Sequence, residues 1–396
     1  MSTDNAARHY TNSFQKDIIM RVLLTGGGTG GHVNPALAIA DIIKSNIPDA
    51  EIAYVGTKKG IENKLVAKEG YKIFHIEIQG IKRSLSLSNL KTAYYVFVSP
   101  HRAKKIIKEF KPDIVIGTGG YVCWPTLRAA ASMGIPTMVH ESNALAGVAV
   151  RQLQGKVDKI LTNFAETAEQ LSAKSKIINV GNPLRSAYGN LSREEARAKL
   201  GIPDSVNFVI LSFGGSLGAA KVNSTAIQVM KDFVLPREDV MHFHSGGSIG
   251  FEEAKKLFAE AGLEGNERTV LKDYIYDMPL YMAAADLVIS RAGAMTLTEL
   301  ARMGKAAIVI PSPNVTDNHQ YKNAKALADK GAACLLEERE LEGDAILRAV
   351  EEIYSDEGKR EAMSQSIRAF AKEDAGKRIF EEMMKLIKSY EKIVRD

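Results

Sequence analysis

Glycines crowd two places where a short apolar run gives way to a helix-forming stretch: Gly26-Gly-Gly-Thr-Gly-Gly31 and Gly214-Gly-Ser-Leu-Gly218. A glycine loop in that position exposes backbone N–H groups at the positive end of a helix dipole, which suits phosphate. His32 follows the first loop directly. An imidazole at a helix N-terminus has its pKa pushed down, so near pH 7 it is neutral and able to accept a proton. It has an equally good second reading, as a residue that only hydrogen-bonds the loop and shapes it. Farther on, Ser290-Arg-Ala-Gly-Ala-Met-Thr-Leu-Thr-Glu299 reads as a strand end, a glycine turn and a helix start, and Asp317-Asn-His-Gln320 opens another helix. Glu299 has the acceptors for both hydroxyls of a ribose, Gly293 and Ser216 suit phosphate, and Asn318, His319 and Gln320 carry the donor and acceptor mix of a sugar site. Taken alone, Glu299 is better explained by the preference for acids near a helix N-terminus.

Several chemistries find no anchor. Gly26-x-Gly28-x-x-Gly31 satisfies the dinucleotide fingerprint, but the fingerprint also needs an acid at the end of the second strand to hold the ribose. Here that strand runs into Gly56-Thr-Lys-Lys59, whose lysines disfavour NAD and leave an NADP-dependent oxidoreductase as the runner-up reading. There is no Asp-x-Asp and no His, Cys or carboxylate cluster at ligand spacing, so neither a metal nor a cofactor is expected. A departing diphosphate would then depend on helix dipoles and backbone N–H groups. No Gly-x-Ser-x-Gly elbow or Walker Gly-Lys-Ser/Thr supports a hydrolase or a P-loop kinase.

Two cysteines, Cys123 and Cys334, make no disulfide framework and suggest a reducing compartment. A net charge of +5 over 396 residues is mild; it calls for no nucleic acid but permits a local basic patch. With 45% hydrophobic and 25% charged residues the chain is of ordinary globular composition. Its longest uncharged apolar stretch, 93–100, is far short of the roughly 20 residues that span a bilayer.

The elements that position these loops follow from β-branched runs alternating with amphipathic ones. Strands are expected at 21–25, 52–56, 73–78, 113–117, 136–140, 159–162 and 177–180. Around Gly181-Asn-Pro183 the pattern breaks, and Ser192 with Glu195 forms a capping box that opens a new helix. Alternation resumes with strands near 207–213, 240–244, 269–272, 286–290, 306–311 and 333–336. This pattern predicts an α/β protein with two doubly wound parallel-sheet domains facing a cleft, the loops lying at the carboxyl ends of the strands. Residues 1–19 read as a polar extension ahead of Met20, 20–183 and 184–363 as the two domains, and 364–396 as charged helices that pack back across the boundary.

Taken together, Gly27-Gly-Thr-Gly-Gly-His-Val-Asn-Pro-Ala36, Gly117-Thr-Gly-Gly-Tyr-Val122, His140-Glu-Ser-Asn143 and Gly181-Asn-Pro-Leu-Arg185 in the first half, with the 214–218, 293–299 and 317–323 segments in the second, resemble the MurG family. The resemblance spans nearly everything from Met20 onward. It implies a glycosyltransferase of the two-Rossmann (GT-B) architecture that moves GlcNAc from UDP-GlcNAc to the C4 hydroxyl of MurNAc in lipid I. Inversion, lipid II and UDP as products, and no obligatory metal are implied with it.

Carried over by resemblance, Glu299 holds the ribose, Ile275 lies by the uracil, and Ser216, Gly293 and Ala294 lie near the diphosphate. Gln320 and His319 contact the GlcNAc hydroxyls, and Arg185 touches the donor from the domain junction. His32 becomes the catalytic candidate, with Glu141 close enough to keep the choice of base open. Thr29, Gly30, Gly31 and Asn143 are counted with the UDP-GlcNAc contacts although they lie in the acceptor-facing half, where Gly119, Gly120 and Tyr121 face the acceptor. Two departures stand out: Cys123 and Trp124 follow the Tyr121 loop where smaller residues are common, and His319 replaces a frequent glutamine.

A lipid-linked acceptor implies an enzyme at the cytoplasmic face of the bacterial membrane. From Ile78 to Lys108 the chain carries Lys82, Arg83, Lys91, Arg102, Lys104, Lys105 and Lys108 and no acid, interleaved with Ile81, Leu85, Leu87, Leu90, Tyr94, Tyr95 and Phe97. That mixture fits peripheral contact with anionic headgroups, or equally a core helix with a solvated basic face. A different two-Rossmann sugar-nucleotide transferase on the same scaffold is the remaining alternative.

Overall fold

The computed structural model describes residues 19–78, 88–315, 318–341 and 343–395. Residues 1–18, Asp317 and, from the basic stretch, Ile81, Lys82, Arg83, Leu85 and Leu87 lie outside the described residues, as do the side chains of Leu90 and Lys91.

Two sheets, both wholly parallel, carry the chain. The first contains β1 (Arg21–Thr25), β2 (Glu51–Gly56), β3 (Lys72–His75), β4 (Ile114–Gly117), β5 (Thr137–Glu141), β6 (Lys159–Thr162) and β7 (Ile177–Asn179), in the order β3-β2-β1-β4-β5-β6-β7. The second contains β8 (Phe208–Phe213), β9 (Val240–Ser245), β10 (Thr269–Lys272), β11 (Leu287–Ser290), β12 (Ala306–Val309) and β13 (Cys334–Leu335), ordered β10-β9-β8-β11-β12-β13. Central strands such as Phe208–Phe213 are buried along their whole length, as strands covered by helices on both faces must be. This is the two-domain, doubly wound arrangement expected from the alternation. The expected 73–78 and 333–336 strands are shorter, ending at His75 and starting at Cys334, because both lie at sheet edges and pair on one side only.

The order of each sheet reverses at one place, between β1 and β4 and between β8 and β11. The crevice outside the carboxyl ends of such a pair is where doubly wound sheets bind ligands. The loops singled out above leave these strands: 26–29 after β1, 118–122 after β4, 214–218 after β8 and 291–293 after β11.

The chain crosses between the halves twice, and the crossings lie side by side. Gly181, at φ +95°, passes so close to Ala375 that an added Cβ would sit 3.0 Å from that residue's methyl. Lys372 Nζ donates to the Asn163 carbonyl at 2.6 Å and to Asn179 Oδ1 at 2.8 Å. His140 Nε2 meets the Gly181 carbonyl at 2.8 Å, and burial pushes this imidazole down to about 4, so it is a neutral brace. Beyond the second crossing, helix Ala375–Arg395 places Ile379, Met383, Leu386 and Ile387 on one face. They join Val22, Leu37 and Ile116 in the first sheet's core.

Candidate active site

Helix N-termini leave their first N–H groups unsatisfied, and a Ser, Thr, Asp or Asn side chain ordinarily fills that gap. Helix Arg193–Leu200 obeys the rule with the full capping box expected from Ser192 and Glu195. The helices that start at the cleft do not. Gly30–Asn46 follows Thr29, Ala294–Met303 follows Gly293 and His319–Ala328 follows Asn318, and none has a side-chain cap. On the first of them the Gly30 N–H is met by Ser216 Oγ and the His32 N–H by the Thr29 carbonyl; the dipoles of all three favour an anion such as phosphate at the cleft.

On the first sheet the glycine loops interlock. Gly120 is at φ +79°, and a Cβ on it would lie 2.2 Å from the Gly27 carbonyl oxygen. A Cβ on Gly28 would lie 2.9 Å from the Tyr121 ring, and one on Gly119 would lie 2.7 Å from the His32 ring. His32 is thus pressed between the 119–121 loop and Thr29, whose Oγ1 is 3.3 Å from its Nδ1. Thr118 Oγ1 donates to the His32 carbonyl at 2.6 Å and pins its backbone. Burial pushes the imidazole below its ordinary value, while the Glu141 charge and a hydrogen bond to the Gly27 backbone pull upward. Gly120→Ala combines a left-handed backbone with that clash, so we expect it to destabilise the fold by about 1–3 kcal/mol, read as a lowered Tm in thermal unfolding.

Glu141 stands near His32 but is fully engaged. Its Oε1 accepts from the Asn143 backbone N–H at 3.0 Å and from Asn143 Nδ2 at 3.1 Å, and its Oε2 accepts from the Gly147 N–H at 2.8 Å. The carboxylate therefore holds the 142–147 loop and aims Asn143.

On the second sheet, Gly218 and Gly247 pack backbone to backbone at φ +85° and +82°. A Cβ on Gly218 would stand 2.1 Å from the Gly246 carbonyl oxygen. Ser248 donates from its N–H and its hydroxyl to the Ser216 carbonyl, both at 3.1 Å. Gln320 does not point freely at a sugar: its Oε1 accepts from the Ser312 N–H at 2.9 Å and ties the Pro311–Pro313 loop to helix His319–Ala328.

The two halves touch where the loops meet. The Gly30 N–H donates to Ser216 Oγ at 3.2 Å, and Asn182 Nδ2 donates to Thr298 Oγ1 at 2.9 Å. Arg185 was expected on the donor, but its guanidinium is taken up by Asp41 at 3.2 Å and Glu69 at 3.0 Å in the first half. It still lines the same narrow crevice as Asn34, Tyr274, Ile275 and Glu299. Glu299 is buried there and hydrogen-bonded to Tyr188; burial pushes its carboxyl up to about 7 and the tyrosine pulls it back down.

Sequence reasoning missed Tyr188, Tyr274, Asp41 and Glu69, none of which stands in a motif read as chemical; Asn182 lies in the Gly181–Arg185 motif, which assigns it no role of its own. Among the described residues no group of three His, Cys, Asp or Glu is placed to hold a metal ion.

Comparison with known proteins fits this geometry. Residues 22–162 match the glycosyltransferase family 28 N-terminal domain, and residues 209–379 match the C-terminal domain of that family. A protein of Acetivibrio thermocellus named UDP-N-acetylglucosamine–N-acetylmuramyl-(pentapeptide) pyrophosphoryl-undecaprenol N-acetylglucosamine transferase is 40% identical over 370 residues, 93% of this chain and 99% of that protein. The chain belongs to the MurG family. A protein of the same name from Listeria monocytogenes is 41% identical over 93% of this chain and all of its own length. The crystal structure of MurG from Acinetobacter baumannii superposes with a TM-score of 0.65 at 28% identity, covering 92% of this chain and 99% of that one. Membership makes the chain a glycosyltransferase of GT-B architecture, so the oxidoreductase reading of the first glycine loop is not favoured. That loop and the one at Gly214 follow β1 and β8, the corresponding strands of the two sheets.

Proposed function

We propose that this chain carries out the reaction its relatives are named for, moving GlcNAc from UDP-GlcNAc to the C4 hydroxyl of MurNAc in lipid I. Lipid II and UDP are the products, in peptidoglycan synthesis. The observation that carries this reading is the meeting of the loops after β1 and β8 across one cleft, where the Gly30 N–H donates to Ser216 Oγ, with His32 and Glu299 on helices that start at that cleft.

In this reading the second half holds the donor. Glu299 accepts both ribose hydroxyls, Ile275 and Tyr274 form the apolar wall for the base, and Ser216 with the Gly293–Ala294 N–H groups receives the diphosphate. The first half holds the acceptor against Gly119, Gly120, Tyr121 and Asn143. His32 takes the C4 hydroxyl proton as the oxygen attacks the anomeric carbon from the face opposite UDP. Glu141 is spent on three backbone and amide donors, so it acts as a fixed negative charge that stabilises the imidazolium once formed. Charge on the departing diphosphate is met by preorganised N–H groups. The Gly30–Ser216 contact belongs to a closed cleft, which aligns the reactants and excludes water; opening must precede entry of UDP-GlcNAc. Calorimetric titration separates this reading from the oxidoreductase one: UDP should bind and NADPH should not, and the reverse result would sink it.

Among the described residues no helix is long and apolar enough to cross a membrane. We place the enzyme peripherally on the cytoplasmic face, through helix Ser88–Phe110. Its apolar residues divide: Ala103, Ile106, Ile107 and Phe110 are core, while Tyr94 and Phe97 are 60% and 76% exposed. Lys104 and Lys105 lie about two turns beyond Phe97 on the same helix. Charge reversal at both lysines should weaken binding to anionic vesicles in a sedimentation assay by about 30-fold or more, at roughly 1 kcal/mol per basic residue near the surface. Unchanged sedimentation would remove this helix from the contact.

A further inference from the structure

At the opposite, amino-terminal ends of β11 and β12, away from the cleft, the second half carries an open cavity of about 550 Å³, a size ordinary for a small-molecule site. Arg193, Arg302, Lys305, Arg360 and Arg368 all line it. Three acids share the lining: Asp286, Glu357 and Glu361. Asp286 is already consumed, accepting from Arg193 at 2.7 Å, from Arg197 at 2.5 Å and from the Val209 N–H at 2.7 Å.

Of the remaining cations, Arg302 is paired with Glu373 at 3.3 Å, on the exposed rim, while Lys305, Arg360 and Arg368 make no ion pair among the described residues. Lys305 donates only to two carbonyls, those of Ala283 and Ala285, both at 2.8 Å. Burial pushes its ammonium down to about 8; Asp286 pulls upward, and Arg193, Arg368 and Arg197 press it down further. Arg360 likewise donates to carbonyls, of Ile353 at 2.8 Å and Tyr354 at 3.1 Å. Arg368 makes no side-chain hydrogen bond or ion pair among the described residues, although its guanidinium is held against Gly304. Cations at the end of helix Ala294–Met303 are partly explained by the negative end of its dipole. A dipole of half a charge does not account for three cations, Lys305, Arg360 and Arg368, that line one cavity without an acid in ion-pair contact.

We propose that this cavity is a second binding site, for a soluble anion carrying two or more phosphate charges. Guanidinium forks match phosphate oxygens in pairs, and several forks around one space favour a multivalent ligand over a single carboxylate. Among the described residues none of the large exposed apolar side chains lies at the cavity, so a soluble anion suits it better than a lipid headgroup with its acyl chains. The site is separate from the donor loops, which flank the other end of the same helix at Gly293.

The test is calorimetric titration of inorganic pyrophosphate into the full chain saturated with UDP, which keeps pyrophosphate off the glycine loops. One equivalent should bind, more weakly as salt rises, and at least tenfold more weakly in Arg302→Gln/Arg368→Gln. Both positions are exposed, so the variant should fold, and an unchanged Tm without ligand checks this. Pyrophosphate should raise the Tm of the parent and not of the variant. Absence of binding at millimolar pyrophosphate, equal binding by the variant, or binding of citrate in preference to pyrophosphate would each overturn the proposal.

Discussion

Replacing His32 with alanine is expected to lower kcat by roughly 10²–10⁴-fold, the usual worth of a positioned general base, while leaving UDP affinity unchanged. The separation follows from the fold: His32 sits on the helix after β1, whereas the nucleotide contacts proposed here belong to the second sheet. Burial holds the imidazole below its ordinary value, so it is free to accept a proton throughout the neutral range. The sign for activity is therefore fixed: kcat/KM for the acceptor should fall as pH drops through the lowered imidazole value and stay level above it. Steady-state kinetics on a lipid I analogue, with UDP titration alongside, measures both effects. A His32→Ala variant within tenfold of the parent would move the base elsewhere. Glu141→Gln should not mimic the variant through lost basicity. It replaces one acceptor of three hydrogen bonds and should loosen the 142–147 loop, showing first as a raised KM for the acceptor.

Glu299→Gln should weaken UDP binding by about 100-fold or more, since each hydrogen bond to a charged group is worth about 1.5–3 kcal/mol. A pH dependence accompanies it. In the free protein the carboxyl is raised to about 7, so below that value it is largely protonated. Two ribose hydroxyls donating to it favour the ionised form, so binding releases a proton and affinity rises with pH until about 7, then levels. Uridine, which lacks ionisable phosphate, is the ligand with which to read this, and the dependence should vanish in Glu299→Gln. The same shift has an opposite consequence for folding. Between the ordinary carboxylate range and about pH 7 the folded, unliganded chain binds more protons than the unfolded chain, so this group's contribution to stability falls as pH rises through that window. Uridine affinity independent of pH in the parent would mean that Glu299 does not face the ribose.

Much of the fold was legible because it is local. Strand runs such as Val22–Leu24 and Phe208–Leu211 are apolar throughout, helices follow at the spacing parallel crossovers require, and Ser192 with Glu195 announced a cap that forms as written. The glycine loops were legible for a related reason, since strand, glycines and helix are contiguous. What escaped was long-range pairing. Arg185 meets Asp41 across 144 residues, and Tyr188 reaches Glu299 only because two separate segments fold against each other. Neither partner has a spacing that could reveal it. Saturation of Glu141 by Asn143 and Gly147 was equally invisible, because two of its three donors are backbone N–H groups that any residue would supply. The cationic cavity draws its lining from segments between Gly189 and Arg368, whose arginines and lysines read singly as solvated charge.

Transfer itself tests the central claim most directly: GlcNAc moved from UDP-GlcNAc to a soluble-tailed lipid I analogue, with EDTA present. The account predicts stoichiometric UDP and a disaccharide product of inverted, β-configured linkage from the parent, at a rate unaffected by EDTA. It further predicts loss of that product in His32→Ala and in Glu299→Ala. UDP bound tightly but no disaccharide formed would keep the donor site and contradict the acceptor assigned to the cleft.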